Sequence, residues 1–280
     1  MNRICIQIAT KDRPTELCAL ITSLLSQTHK EWDLVILDDG LAIQYATYDA
    51  LQKLISHVKL QGHGVQEIRS QIHKGIADLR NQLLEHSNMK GCDFILRLDD
   101  DVFLEPDYIK RLLNVIKQGY DIASGVTPSA GIPMTKRDSK VLNNFINYKT
   151  LDEEGNITKH DDECGSLYIG EGIYPTHEFR SNALIKKEVV DAGVKYPDNL
   201  SPVSFREESF FSTSAIIAGF KIGVDVQAIA WHYQTPSGGC RYPDYAQKVQ
   251  SDNKYFTKWI KELFEKHGDF FQKYYEGFMK

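Results

Sequence analysis

The tightest constraint on the fold is an alternation running from Arg3 to Val126, in which short apolar runs of strand length are each followed by an amphipathic segment of helical period. Residues 3–10 (RICIQIAT) read as a buried strand. Residues 13–28 follow, with Pro14 suited to a first helical turn and Leu17, Leu20, Ile21, Leu24 and Leu25 on one face. Residues 33–40 (DLVILDDG) form a second strand, 42–56 a second helix, 65–70 a third strand and 76–85 a third helix. Residues 92–101 (CDFILRLDDD) supply another strand, Pro106 opens a helix carrying Ile109, Leu112, Leu113 and Ile116, and residues 121–126 (DIASGV) give a further strand. Such alternation predicts an α/β fold with a mainly parallel central sheet flanked by helices.

In open sheets of this kind ligands sit beyond the carboxyl ends of the strands. Residues 10–13, Asp38 with Asp39, and Asp99, Asp100 and Asp101 all fall just past predicted strand ends, so three polar clusters distant in sequence are expected on one rim. The aspartate trio is the most demanding of them. Carboxylates about 4 Å apart repel by roughly 4 kcal/mol at an intermediate dielectric, so full ionisation requires solvent or a counter-cation. A turn or first-helical-turn role accounts for Asp107, whereas Asp99–Asp101 precede the helix by several residues. A hard divalent cation, Mg2+ or Mn2+, held by one or two carboxylates plus diphosphate oxygens would relieve the crowding. Asp38-Asp39-Gly40 alone is an ordinary Asp-Gly turn. Beside the other clusters it also offers an acceptor for a nucleobase imide or a ribose hydroxyl.

With 280 residues and 42% hydrophobic composition the chain can bury a large core, in one domain with an appendage. Its net charge of -5 provides no global basic field, which disfavours nucleic-acid binding and leaves any phosphate-bearing ligand to local cations. The five cysteines (Cys5, Cys18, Cys92, Cys164, Cys240) include no Cys-x-x-Cys pair, which fits reduced thiols and predicts a cytoplasmic protein. The N-terminal apolar run is too short for a signal peptide and no other run reaches bilayer length, so membrane attachment on this reading is peripheral. Oligomeric state stays open.

After residue 127 the rhythm gives way to polar, turn-rich segments (127–140, 150–166). Order resumes in residues 178–193, a strand entering a helix, and in 204–222, a helix closed by Gly219, with 224–231 as a last strand. Ser204 and Glu207 have capping-box spacing, which leaves Glu208 without a structural duty other than stabilising the helix dipole. His232 is either an ordinary surface or core histidine or a metal ligand. Gly238-Gly239 make the following loop either a simple turn or a mobile lid, with Arg241 reaching a diphosphate. From about residue 244 the chain is helical and rich in aromatics, either packed on the core or used at a membrane or subunit surface.

Three stretches carry a family resemblance: residues 4–40, with an Arg-bearing loop, a Ser-Leu-Leu-x-Gln-Thr helix and an Asp-Asp-Gly strand end; residues 73–85 (HKGIADLRNQLLE); and residues 96–109 (LRLDDDVFLEPDYI), with an Asp-x-Asp segment followed by proline. Together they resemble the family-2 glycosyltransferases of the GT-A fold. The likeness is specific over roughly the first half of the chain and looser to His232. It implies a GT-A domain over 1–243, with a nucleotide-sugar-binding half (1–127) and an acceptor-binding half (128–243), followed by a helical extension at 244–280. It implies a nucleoside diphosphate sugar donor, a UDP-sugar foremost, with Ala9, Thr10, Arg13 and Asp39 near the nucleoside and Asp99 and Asp100 near ribose and sugar. Asp101 would ligate Mg2+ or Mn2+, with His232 as an additional ligand. Arg80 braces the acids or the donor, or forms a plain helix-surface salt bridge. Glu208 matches the acid that serves as general base toward the acceptor hydroxyl, which implies inversion and a saccharide or glycoconjugate acceptor. Lys11-Asp12 departs from the aromatic-polar pair common after the threonine.

Two rivals remain at this stage. A sugar-phosphate nucleotidyltransferase needs a Gly-rich phosphate loop after the first strand, and ATKDRPTEL has none; a dinucleotide oxidoreductase fails on the same glycines. A nucleotide-sugar-binding scaffold without turnover would keep the pocket and lack transfer.

Overall fold

The computed structural model describes residues 3–40, 45–70, 74–86, 91–131, 171–179 and 181–278. β1 (Ile4–Thr10), β2 (Trp32–Asp38) and β4 (Phe94–Leu98) are buried along their whole length, as expected of strands covered on both faces. β1 pairs in parallel with β2 and β4, and β3 (Val65–Arg69) adds to β2. The other strands are β5 (Val102–Leu104), β6 (Ile122–Val126), β7 (Ile173–Thr176), β8 (Ala183–Lys186) and β9 (Ile222–His232). The sheet order is β3-β2-β1-β4-β8-β6-β9-β5, with β7 on β9.

The expected parallel arrangement holds through β3-β2-β1-β4. Beyond β4 the sheet is mixed, because β8 enters between β4 and β6 antiparallel to both. β5 and β7 lie antiparallel to β9, while β6 and β9 are parallel. Antiparallel neighbours need no helical crossover, which is why the strand-helix rhythm of the sequence fades there. The β6–β9 register shifts between Ser124 and Val126. At the intervening Gly125 a Cβ would sit 2.1 Å from the Ala228 carbonyl oxygen, so only glycine admits this close approach.

Helices α1 (Pro14–Leu25), α2 (Asp49–Leu60) and α4 (Tyr108–Lys117) cover one core, and α3 (Ile76–Glu85) packs against β1 and β2. The second helix begins later than the expected 42–56: Tyr45–Thr47 form a 3-10 turn around the buried Tyr45 ring, and the α-helix starts at Asp49, whose carboxylate pairs with Lys53. Residues 41–44 lie outside the described residues, as do most of the 127–175 loops (132–170) and Cys164. The described cysteines Cys5, Cys18, Cys92 and Cys240 are free thiols. Among the described residues no helix is long and apolar enough to cross a membrane.

After the short α5 (Lys187–Asp191), α6 (Glu207–Ile217) lies against the first part of α7 (Tyr245–Phe278), which is broken at His267. Phe210 of α6 packs on Phe256, Trp259 and Tyr255 of α7 with ring centroids 5.1, 4.5 and 5.5 Å apart. Those aromatics of the C-terminal stretch therefore belong to a core.

Asp252 of α7 is buried and accepts hydrogen bonds from Ser201 N (2.7 Å), Ser201 Oγ (2.8 Å) and Phe205 N (2.8 Å). Arg206 donates to Asn253 Oδ1 at 3.1 Å. Ser204 and Arg206 hold positive φ (53° and 74°), a conformation that non-glycine residues keep only when their surroundings impose it. Asp252→Ala leaves two part-buried amides and a hydroxyl without their charged acceptor and is expected to cost about 1–3 kcal/mol, read as a lower urea midpoint. An unchanged midpoint would remove this bracing role.

Candidate active site

One cavity of about 490 Å³ opens at the carboxyl ends of β1, β2 and β4, within the size range of small-ligand sites. Its lining includes Ala9, Thr10, Arg13, Asp39, Arg80, Asp99, Asp100, Asp101, Glu208, His232 and Arg241, whereas Asp38, also expected on the rim, is not among the lining residues. The rim expected from strand ends is thus assembled, with α6 and the segment after β9 closing its far side.

The parallel register brings Thr10 beside Asp38 and places the end of β4 next to that of β1. Asp38 and Asp39 then divide their duties. Asp38 accepts from Gly40 N at 2.8 Å and pairs with Arg69, as a turn-former does. Asp39 is among the cavity-lining residues, its amide donating to Thr10 O at 2.8 Å.

The aspartate trio is offset in part by protein cations. Arg80 donates to Leu98 O at 2.9 Å and to Asp99 Oδ1 at 2.6 Å, so it braces the acids from within the fold. Arg13 Nη1 donates to Asp100 Oδ1 at 3.0 Å and lies 3.0 Å from Asp101 Oδ2. Thr10 Oγ1 donates to Asp100 Oδ2 at 2.9 Å, and His232 Nε2 sits 3.1 Å from Asp101 Oδ1. Arg80 and Arg13 therefore supply part of the compensating charge that the trio requires, and His232 adds a hydrogen bond to Asp101. Burial pushes the Asp100 carboxyl up to about 6, with the Asp101 charge adding to it against Arg13 and Thr10. Burial also opposes ionisation of Asp101, but the His232 hydrogen bond and charge, together with Arg13, hold it below the ordinary range. His232 is raised in turn: burial works against its charged form, and the Asp101 hydrogen bond and charge, with the Asp99 charge, together outweigh it.

Asp101 Oδ1 and His232 Nε2 form the pair best placed for a divalent cation. Among the described residues no third histidine, cysteine or carboxylate completes a protein-only metal cluster. Two protein donors leave coordination positions for diphosphate oxygens, the arrangement a hard cation such as Mg2+ accepts, so the donor set fits.

Arg13 also fastens the loop after β9. It donates from Nε to Ser237 O at 2.9 Å and from Nη2 to Thr235 O at 3.3 Å, while Gly239 N donates to Lys11 O at 2.8 Å. Gly238 and Gly239 have φ of 69° and 54°, and a Cβ on either would come within 2.7 Å of the Arg13 side chain. The glycine pair thus lets the loop lie directly on this guanidinium. Arg241, exposed at the mouth, donates to Thr235 O at 3.3 Å.

The capping box does not form. Ser204 Oγ instead accepts from Ala77 N at 3.0 Å, in the first turn of α3, and donates to Ser201 O. Glu207 is drawn away by Arg97, whose Nη1 and Nη2 reach its two oxygens at 3.0 and 2.7 Å. Nor is Glu208 free of structural duty, because Arg97 Nη2 also donates to Glu208 Oε1 at 2.8 Å. One guanidinium serving two carboxylates splits their behaviour. Burial pushes Glu207 up to about 8 despite Arg97, with the neighbouring Glu208 charge adding to the rise. Burial also works against Glu208, yet Arg97 keeps it below the usual carboxylate range. The Glu207 side chain is 5% exposed and that of Glu208 is 24% exposed, so Glu208 is the one a second substrate can meet.

Sequence reasoning missed Arg97, Tyr242 and Tyr245, and placed Lys11 on the rim without foreseeing its partners. Arg97 had a signal: a lone charge inside the apolar run FILRL must be paired when buried. Lys11 Nζ donates to Tyr242 Oη at 3.1 Å and lies 4.0 Å from Asp39, a contact across 231 positions that no local pattern announces.

The sequence profile described as "Glycosyl transferase family 2" matches residues 5–171. No curated protein matches the chain. Among solved structures, GalNAc-T7 with UDP, GalNAc and Mn2+ is similar at a TM-score of 0.62 and 14% identity, over 89% of this chain and 48% of that one. S. aureus TarS 1-349 in complex with UDP-GlcNAc gives 0.56 and 12%, over 81% and 57%. The mannosyltransferase PcManGT from Pyrobaculum calidifontis, in complex with GDP-Man and Mn2+, gives 0.55 and 14%, over 83% and 57%. The chain therefore spans about half the length of these proteins, and at such identities the likeness establishes the fold, GT-A. The family profile spans well over half of the sequence, and the chain belongs to glycosyl transferase family 2.

Proposed function

We propose that the protein transfers a sugar from a nucleoside diphosphate sugar, a UDP-sugar foremost, to the hydroxyl of a saccharide or glycoconjugate acceptor, with inversion and with dependence on a divalent cation. The observation that carries this reading is the meeting, in one cavity, of the aspartate-bearing end of β4 with the carboxylate-bearing start of α6. Ala9, Thr10 and Asp39 take the nucleoside side; Asp99 and Asp100, held by Arg80, Arg13 and Thr10, face ribose and sugar. Lys11 and Arg241 supply positive charge near the diphosphate. Glu208, ionised at neutral pH, accepts the acceptor hydroxyl proton while that oxygen attacks the anomeric carbon. A divalent cation seated on Asp101 and His232 would neutralise charge on the departing diphosphate, and the Mn2+ present with GalNAc-T7 and PcManGT supports that role.

Calorimetry with a panel of UDP- and GDP-sugars, with and without Mn2+, tests the reading. One member should bind saturably and be slowly hydrolysed; binding without hydrolysis or transfer would make the protein a scaffold. Asp101→Ala should weaken Mn2+-dependent donor binding on the order of 10- to 100-fold, and undiminished binding would remove the proposed metal seat.

A further inference from the structure

We infer that Arg97 is the positioning residue that fixes the proton-accepting carboxylate, holding Glu208 turned toward the cavity by clamping it together with Glu207. The inference rests on the reading of Glu208 as the group that takes the acceptor proton.

Arg97 projects from β4 two residues before Asp99, so a single strand end supplies the donor-side acids and the anchor for the opposite wall. Its guanidinium is itself fixed. The side chain is only 3% exposed, Nη1 donates to Tyr196 Oη at 3.1 Å, and the group lies over the rings of Phe179 and Tyr196, 5.5 and 5.4 Å from their centroids. Nε has no hydrogen-bond partner among the described residues, and the orientation of the guanidinium follows these rings and the carboxylates it grips.

The grip is asymmetric in a useful way. Glu207 takes both terminal nitrogens as a fork and is sealed in, whereas Glu208 takes only Nη2. Glu208 thus keeps its second oxygen clear of Arg97, on a side chain that lines the cavity. Charged groups facing Glu208 are Arg97 of β4, Arg80 of α3 and Glu207 beside it on α6, with Asp99 acting on the same pair. Arg97 contributes most to keeping Glu208 ionised. A lysine would retain the charge and lose the fork, so it cannot hold both carboxylates in one geometry.

Arg97→Lys tests this. Donor affinity should stay within about twofold and kcat should fall about 10- to 100-fold. The acidic limb of the kcat/KM profile should move to higher pH, because a weaker cationic partner lets Glu208 keep its proton longer. A ¹³C NMR titration of the Glu208 carboxyl, read without turnover, should move the same way. Should Arg97→Lys fold poorly, the double variant Arg97→Gln with Glu207→Gln, which removes the guanidinium together with the carboxyl forked to it, gives the same readouts, and the same upward shift is expected. If thermal stability falls while the acidic limb and the carboxyl titration stay where they are, Arg97 is a strut and the inference is overturned. The titration decides the hold on Glu208 whether or not transfer is observed, so absence of transfer by the wild-type protein counts against the proposed function and not against this clamp.

Discussion

Glu208→Gln is expected to lower kcat for sugar transfer by about 10²–10⁴-fold while leaving donor affinity within about twofold. Glutamine keeps the volume and still offers an oxygen to Arg97, 2.8 Å away in the wild type, but it cannot take a proton. Steady-state kinetics beside calorimetric donor titration separates these effects: an interaction made only during reaction lowers kcat and kcat/KM together and spares binding. Glu207→Gln serves as a comparison, because both oxygens of that 5% exposed carboxylate are engaged by Arg97, so its loss acts on geometry rather than on proton acceptance. Normal turnover in Glu208→Gln would remove it as the base and shift attention to Glu207.

Arg13→Met is expected to destabilise the fold by about 3–5 kcal/mol, the usual consequence of stripping a buried ion pair of one partner. Asp100 and Asp101 would lose their shared guanidinium and keep the Thr10 hydroxyl, the Lys11 amide and His232, while Ser237 O would lose the Arg13 donor and Thr235 O would be left with Arg241. Urea unfolding measures the loss. A double variant with Asp100→Asn should recover part of it, since the two side chains touch and their effects are coupled. A loss below about 1 kcal/mol would place the pair in the class of surface ion pairs and contradict its burial. Donor binding should weaken too, because the same guanidinium holds both the aspartates and the loop that closes on them.

The N-terminal half of the fold was legible because its signals are periodic and local. β1, β2 and β4 announce themselves as apolar runs, α1 and α4 by their stripes of leucine and isoleucine, and the rule that ligands gather past strand ends brought Thr10, Asp39 and Asp101 to one place without any knowledge of their contacts. The rest depends on partners far apart in sequence. β5 has three residues and exists because it pairs with β9 near residue 231. Ser204 and Glu207 match a local capping motif, yet each is claimed by a distant partner, Ala77 and Arg97. The trio's charge was recognised as needing compensation, but the sequence could not say that arginines from α3 and from the β1–α1 connection would supply part of it.

The Asp252 contacts have a consequence for how this catalytic unit is delimited. Family likeness fades well before residue 245, which invites trimming the long terminal helix as an accessory tail. Its first turns nevertheless scaffold the strained segment leading into Glu207 and Glu208. A shortened chain would retain the rim formed by β1, β2 and β4 and forfeit the shape of the wall opposite it, so the boundary drawn by sequence similarity and the boundary required by the cavity do not coincide.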